Sequence, residues 1–230
     1  MQGQKTEEET WADTLFIVFA TQSGIVKKTS LNEFKNIRKG GIIAIQIEKG
    51  DELIDCKMTN GQNEIVLVTK QGMSIRFNEG ELRDQGRNSI GVWGIRPDKG
   101  DIVVGAAIVS NDCTLLVAGA NGIGKRTPFD DENGPVYRIQ SRGGKGVITM
   151  KTGDKTGEVV GALTVRDTDE IMLITNKGQM VRTRVKEIRE TGRNTMGVKL
   201  MDLKGAEKLQ GIAPVVANED EDEAVEGAVE

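Results

Sequence analysis

A block of about fifty residues runs through this chain four times, beginning at Thr14, Glu64, Thr114 and Glu170. Each copy opens with an apolar run (TLFIVFA, EIVLVT, TLLVAG, EIMLIT) and a two-residue turn ending in glycine: Ser23-Gly24, Gln71-Gly72, Asn121-Gly122, Lys177-Gly178. A short basic strand follows (IVKKT, MSIRF, IGKRT, MVRT). Then come a basic-glycine knot (RKGG, GRNSIG, SRGGKG, GRNTMG), a second turn and another apolar strand. A repeat of this length built from strands and turns is the signature of a radial β-array. The expected fold is therefore all-β, a propeller-like array of four four-stranded blades at about 14–59, 64–109, 114–165 and 170–215.

The pattern inside one repeat supports this. The first strand is apolar throughout, so it is expected to be buried on both faces near the centre. A turn with Gly second gives a tight antiparallel hairpin, because Gly tolerates the positive φ required. No stretch carries a 3.6-residue period, and 31–37 and 185–189 make at most single turns. The third unit is the longest from turn glycine to knot, its extra residues falling around Asp130–Pro135.

Aromatic residues make up only 3% of the 230, so Val, Ile, Leu, Met and Ala must build the core. The two cysteines, Cys56 and Cys113, lie far apart in apolar strands and read as buried free thiols. No apolar run approaches the eighteen residues of a membrane span and no signal peptide is evident, so a cytoplasmic protein is expected. The net charge of −4 hides an asymmetry. Residues 219–230 hold seven acids and no base, and residues 1–13 hold four acids against Lys5. Without these stretches 30 basic residues face 24 acidic ones, a body of about +6. The end segment 217–230 reads as a disordered acidic tail that competes with an anionic ligand for the basic surface. The extension 1–13, with its EEETWAD, is a candidate cover for one sheet edge.

The absence of histidine excludes His-based acid–base catalysis, His-dependent triads and His metal sites. Gly119 to Arg126 comes within one residue of a P-loop, but Arg126 stands where the magnesium-binding Ser or Thr belongs and a strand follows where a helix is needed. The acid pairs Asp130/Asp131 and Asp167/Asp169 lie in polar loop text and read as turn residues. Tyr137, beside the third knot, reads as a packing or DNA-contacting ring. No catalytic residue, metal or cofactor is expected, and neither a membrane nor a small-molecule substrate. What remains are the cations. Lys27, Lys28, Arg76, Lys125, Arg126 and Arg182 recur on the second strand; Arg38, Lys39, Arg87, Arg142, Lys145 and Arg193 recur in the knot. Recurrence at matching places in diverging units points to a basic rim for a long, curved polyanion; duplex DNA is the partner that the resemblance described next implies.

The segments GIVKKTSLNEF, GIIAIQIEKGDELI, GRNSIGVWGIRPDKGDIVVGA, YRIQSRGGKGVITMKT, VVGALTV and GRNTMGVKL resemble the C-terminal domain of the bacterial DNA gyrase A subunit over residues 14 to 216. The resemblance implies a β-pinwheel, a propeller variant with strands exchanged between neighbouring blades, that wraps DNA on its basic rim. It also implies partners in the B subunit, which supplies ATP-driven supercoiling, together with the rest of the A subunit. Family domains usually have six blades; by local sequence these four resemble the last four. The family's Gln-Arg-Arg-Gly-Gly-(Lys/Arg)-Gly heptad belongs to the first blade. Gln140–Gly146, with Ser141 at the second place, reads as the related heptad of a later blade. The A-type subunit of topoisomerase IV and a free-standing DNA-architectural or gyrase-regulating protein stay open as alternatives, as does whether four blades close or form an arc.

Overall fold

The computed structural model describes residues 14–216; the expectations for the N-terminal extension and the acidic tail lie outside them. Repeat one supplies β1 (Phe16–Thr21), β2 (Ile25–Ser30) and β3 (Leu53–Thr59). Repeat two supplies β4 (Glu64–Thr69), β5 (Met73–Asn78), β6 (Val92–Trp93) and β7 (Val103–Ile108). Repeat three supplies β8 (Thr114–Gly119), β9 (Ile123–Pro128), a minor hairpin of β10 (Asp130–Asp131) and β11 (Gly134–Pro135), then β12 (Val147–Ile148) and β13 (Val159–Val165). Repeat four supplies β14 (Glu170–Thr175), β15 (Met180–Arg184), β16 (Val198–Lys199) and β17 (Leu209–Pro214). The only helical pieces among the described residues are single 3-10 turns at Leu31–Phe34, Glu79–Glu81 and Val185–Glu187.

These strands form four antiparallel blades, ordered β3-β1-β2-β6, β7-β4-β5-β12, β13-β8-β9-β16 and β17-β14-β15. The architecture is the all-β, four-bladed pinwheel expected from the repeats. The outer strand of each of the first three blades is donated by the following repeat. Among the described residues the fourth blade has three strands.

The first strand of each repeat lies inside its sheet, and alternation along it serves two interfaces. Ile65 and Leu67 of β4 pack with Val18, Ala20 and Val26 of the first blade. Val66 and Val68, pointing the other way, pack with Leu115 and Val117 of the third. Leu116 and Ala118 then meet Ile171 and Leu173 of the fourth. A continuous apolar run is thus the pattern of a strand sandwiched between two other blades. Tyr137 belongs to this interior: its ring is buried and its hydroxyl lies 2.7 Å from the Thr149 hydroxyl. The two thiols are not buried as expected: Cys56 is exposed on the edge strand β3, and Cys113 is half-buried against the cluster that holds Tyr137.

Strand donation is held by a backbone contact that repeats. The hairpin-turn glycine carbonyl of one repeat accepts N–H groups from the donated segment: Gly24 from Gly94 (2.9 Å), Gly72 from Thr149 (2.8 Å) and Gly122 from Leu200 (2.8 Å). The donated segment enters through Gly91, Gly146 or Gly197, each with positive φ. A Cβ on Gly146 would lie 2.1 Å from the Ser74 carbonyl oxygen.

A second clasp uses the basic residue opposite the third residue of each first strand, in the pairs Val18–Lys28, Val66–Arg76, Leu116–Arg126 and Met172–Arg182. In the first three blades its backbone pairs in parallel with the next repeat, at Asp84, Ile139 and Glu190 respectively. Its side chain is buried. Lys28 Nζ donates to the Glu79 carbonyl (3.2 Å). Arg76 donates to the carbonyls of Phe129 and Tyr137 (both 3.1 Å), to Glu64 (2.7 Å) and in a fork to Asp130 (2.7 and 3.0 Å). Arg126 donates to the Ile188 carbonyl (2.6 Å) and pairs with Asp167 and Glu190. Asp130 and Asp167, read from sequence as turn acids, are the solvent-side partners of these guanidiniums.

Two substitutions test the exchange. Gly146→Ala combines positive φ with a backbone overlap and should destabilise by more than about 1 kcal/mol in chemical unfolding. Arg76→Met strands two carbonyls and two carboxylates. Because Asp130 is half exposed and keeps water, we expect a loss of about 3 kcal/mol, the low end for breaking a buried ion pair.

Candidate nucleic-acid interface

In repeats two to four the knot is a loop between the second strand and the donated strand, and the preceding blade fixes its shape. Lys27, at the centre of β2, donates from Nζ to the carbonyls of Ala44 (2.7 Å) and Arg87 (2.8 Å) and, at 3.3 Å, Gly86. Lys125, at the same place in β9, donates to the carbonyls of Gly192 (2.5 Å) and Arg193 and to the Thr195 hydroxyl (3.2 Å). Both ammonium groups are enclosed. Burial, with Arg87 adding like charge, lowers the Lys27 pKa to about 8; burial with Arg193 lowers that of Lys125 to about 7.

The structure therefore corrects the sequence expectation for five of the six second-strand cations. Lys27, Lys28, Arg76, Lys125 and Arg126 are inside the blade interfaces, occupied by carbonyls and carboxylates, and present no charge to a ligand. Only Arg182 of that row is exposed, where it pairs with Glu170. Their recurrence is explained by the clasp between repeats.

The knot residues behave differently. Arg38, Lys39 and Lys145 are exposed, and Lys145 pairs with Asp98. Arg87, Arg142 and Arg193 are half-buried, and each spends part of its guanidinium on the preceding repeat's donated strand or its counterpart. Arg87 donates to the Ile43 carbonyl (2.9 Å), Arg142 to Trp93 (3.2 Å) and Arg193 to Ile148 (2.6 Å). These three carbonyls occupy equivalent positions, so each arginine is aimed by a repeating backbone contact while its outer face meets solvent. The guanidinium fork suits this double duty, since it presents five donors in one plane.

A second row was missed by sequence reading. Lys35, Arg83, Arg138 and Arg189 are all exposed, and none is in an ion pair among the described residues. Each follows the residue that anchors the loop after the second strand: Phe34, Leu82, Tyr137 and Ile188. Leu82, Tyr137 and Ile188 are buried. Arg83, Arg138 and Arg189 stand four residues ahead of the knot arginine of their own repeat. The recurring apolar–basic dipeptide was the available signal. At least two cations per repeat give a perimeter that can meet phosphates at several points.

The Lys125 cage has a measurable sign. Its pKa in the fold lies below the 10.5 of the free side chain, so between about pH 7 and 10.5 the unfolded chain holds the extra proton. Folding is then favoured as pH rises through that window. Lys125→Met should cost about 1–3 kcal/mol from the unsatisfied carbonyls. The gap between wild-type and variant denaturation midpoints should widen from pH 7 to pH 9.

A family model described as "DNA gyrase C-terminal domain, beta-propeller" matches residues 16–60, 63–110, 114–166 and 169–215. The DNA gyrase A subunit of Clostridium acetobutylicum is 45% identical over 215 residues, covering 94% of this chain and 25% of that protein. The chain spans about a quarter of the length of the curated relatives it matches. A solved C-terminal domain of DNA topoisomerase IV superposes with TM-score 0.82 at 26% identity, over 96% of this chain and 68% of the other. A solved DNA gyrase A C-terminal domain superposes with TM-score 0.78 over 90% of this chain and 67% of the other; at 24% identity that likeness speaks for the fold. With four blades, exchanged strands and a family match in every repeat, this chain belongs to the DNA gyrase C-terminal domain family of β-propellers.

Proposed function

We propose that this chain is a non-catalytic DNA-binding module that holds duplex DNA along its basic perimeter and bends it, as part of the A subunit of DNA gyrase, an ATP-dependent type II topoisomerase. The observation that carries the reading is the pair of solvent-facing cation rows, one set by Lys35, Arg83, Arg138 and Arg189, the other by the knots. Charge repeated at blade spacing matches a ligand whose own charge is periodic and sequence-independent. Bending a short duplex by 40–90° costs on the order of 1–6 kcal/mol, which distributed phosphate contacts on a curved surface can offset. The curated relatives, which are DNA gyrase A subunits, favour gyrase over topoisomerase IV as the parent. The reading places the chain in the bacterial cytoplasm, its protein partners being the B subunit plus the rest of the A subunit.

A short duplex carrying donor and acceptor dyes at its ends, titrated at several salt concentrations, tests this. Binding should weaken with log salt at a slope of roughly −0.9 per phosphate contact, and the end-to-end distance should shorten on binding. The combined Arg83→Gln, Arg138→Gln, Arg189→Gln variant should flatten that slope by roughly 2 to 3 with its unfolding midpoint unchanged. Salt-independent binding, or none at low salt, would overturn the proposal.

A further inference from the structure

Trp93 is the only exposed aromatic residue among the described residues. Phe19, Phe77, Phe129 and Tyr137 are buried, and Phe16 and Phe34 are half-buried. Trp93 is the second residue of β6, the strand that repeat two donates to the first blade, and it is 40% exposed. Its openness belongs to the position and not to the end of the array. Ile148 holds the same place on β12, in a blade packed against neighbours on both sides, and is 43% exposed. In a chain that buries its other large rings, an indole left in water is the informative exception.

Cations frame this indole. The Arg96 guanidinium lies 5.9 Å from the ring centre and is in no ion pair among the described residues. Arg142, from the knot of repeat three, donates to the Trp93 carbonyl (3.2 Å). That knot runs beside the chain that follows the ring. Gly143 donates to the Gly94 carbonyl (2.6 Å), Arg96 donates to the Gly144 carbonyl (2.9 Å), and Ile95 pairs in parallel with Gly144. Counted back from the positive-φ glycine of each knot, Gly143 and Gly144 stand where repeats two and four carry Asn88-Ser89 and Asn194-Thr195. A Cβ on Gly143 would lie 3.5 Å from the Trp93 Cβ, so any side chain there would begin in contact with the tryptophan. The double glycine removes that cover from the one junction that carries an aromatic residue.

The pairing of an apolar residue with a cation recurs one blade on. Ile148 is followed three residues later by exposed Lys151, as Trp93 is by Arg96. At the next junction the same places hold Lys199 and Asp202, which neutralise each other (2.7 Å). Phosphate contacts need only cations. Apolar groups set among them suit the rest of a nucleic acid, its deoxyribose and base edges, where apolar side chains lodge against base steps and help to bend the duplex.

We propose that Trp93 makes a direct, non-ionic contact to bound duplex DNA. Its indole packs against sugar and base edges in a groove whose phosphates are held by Arg96, Arg142 and the outer cation rows, and Ile148 makes a lesser contact of the same kind on the next blade. The inference rests on the DNA-binding reading above and adds to it a contribution that releases no counterions and is therefore insensitive to salt.

The chain has two tryptophans, Trp11 and Trp93, so Trp11→Phe leaves Trp93 as its only indole fluorophore. Adding short duplex DNA to this variant should change the Trp93 emission and protect it from acrylamide, a neutral quencher. In the otherwise unaltered chain, Trp93→Ser should weaken binding about tenfold at every salt concentration, with the salt slope unchanged and the end-to-end shortening of the duplex reduced. Trp93→Phe should recover most of the affinity. Unfolding midpoints check that both variants fold, and the quenching measurement needs no change at position 93. Salt-dependent binding that leaves Trp93 as accessible to acrylamide as in the free chain would overturn this contact while the DNA-binding function stands. A flattened salt slope in Trp93→Ser would overturn it too, assigning the loss to displaced cations. Absence of DNA binding in the unaltered chain would overturn both readings.

Discussion

The structure depends on a two-residue strand given by each of repeats two to four to the one before it. That exchange makes the blade a shared object: its three long strands come from one repeat and its outer edge from the next. The consequence is a chain of interlocked units, in which adjacent blades are tied by backbone hydrogen bonds as well as by apolar contact. Close backbone approach accounts for the glycines at the three filled junctions: Gly24, Gly72 and Gly122 in the hairpin turns, Gly91, Gly146 and Gly197 in the knots. The knot glycine must present positive φ and no side chain where a neighbouring carbonyl passes. Everything outward of that contact, including the direction of the knot arginines, is set by it.

The same exchange sorts the cations. A basic residue on the second strand points beneath the incoming loop of the next repeat, where backbone carbonyls are gathered and water is excluded. There an ammonium or guanidinium satisfies several acceptors at once, and its loss would leave them stranded. A basic residue in the loop itself lies over the strand and faces solvent. Two rows only a few residues apart in sequence therefore have opposite roles, one holding blades together and the other facing outward. Lys125 and Arg193 make the relation direct: the buried lysine holds the carbonyl of the half-buried arginine.

Much of the fold was legible because its periodicities are strong. Four apolar runs, four turn glycines and the absence of helical spacing specify an all-β array, and the sandwiched first strand follows from its unbroken hydrophobicity. The cations were read less well, for a physical reason. Recurrence marks a position under the same constraint in every repeat, and it does not say whether that constraint is a ligand or a neighbouring blade. Lys28, Arg76 and Arg126 recur because each blade has a carbonyl cluster to fill. Lys35, Arg83, Arg138 and Arg189 recur just as faithfully, but sit outside the knot motif that drew notice. Pairing each with the apolar residue before it would have marked them as exposed side chains beside an anchored one. Cys56 shows the converse error, since an apolar strand at the sheet margin has a face without a neighbour.

Burial also bears on how the perimeter acts on a polyelectrolyte. Cations locked to carbonyls and carboxylates cannot release counterions on binding DNA, so they add to the formal charge of the body without adding to its salt dependence. The effective charge of the surface is that of the outer rows, and their spacing is the spacing of the blades. Because the knots of repeats two to four are each held by the blade before them, the curvature of the rows there is the curvature of the array. A ligand that follows them must adopt that curvature, while the protein gives up little side-chain freedom at the knot arginines already fixed by backbone carbonyls. On this argument the strand exchange, by fixing the angle between blades, also fixes the path on which DNA would lie.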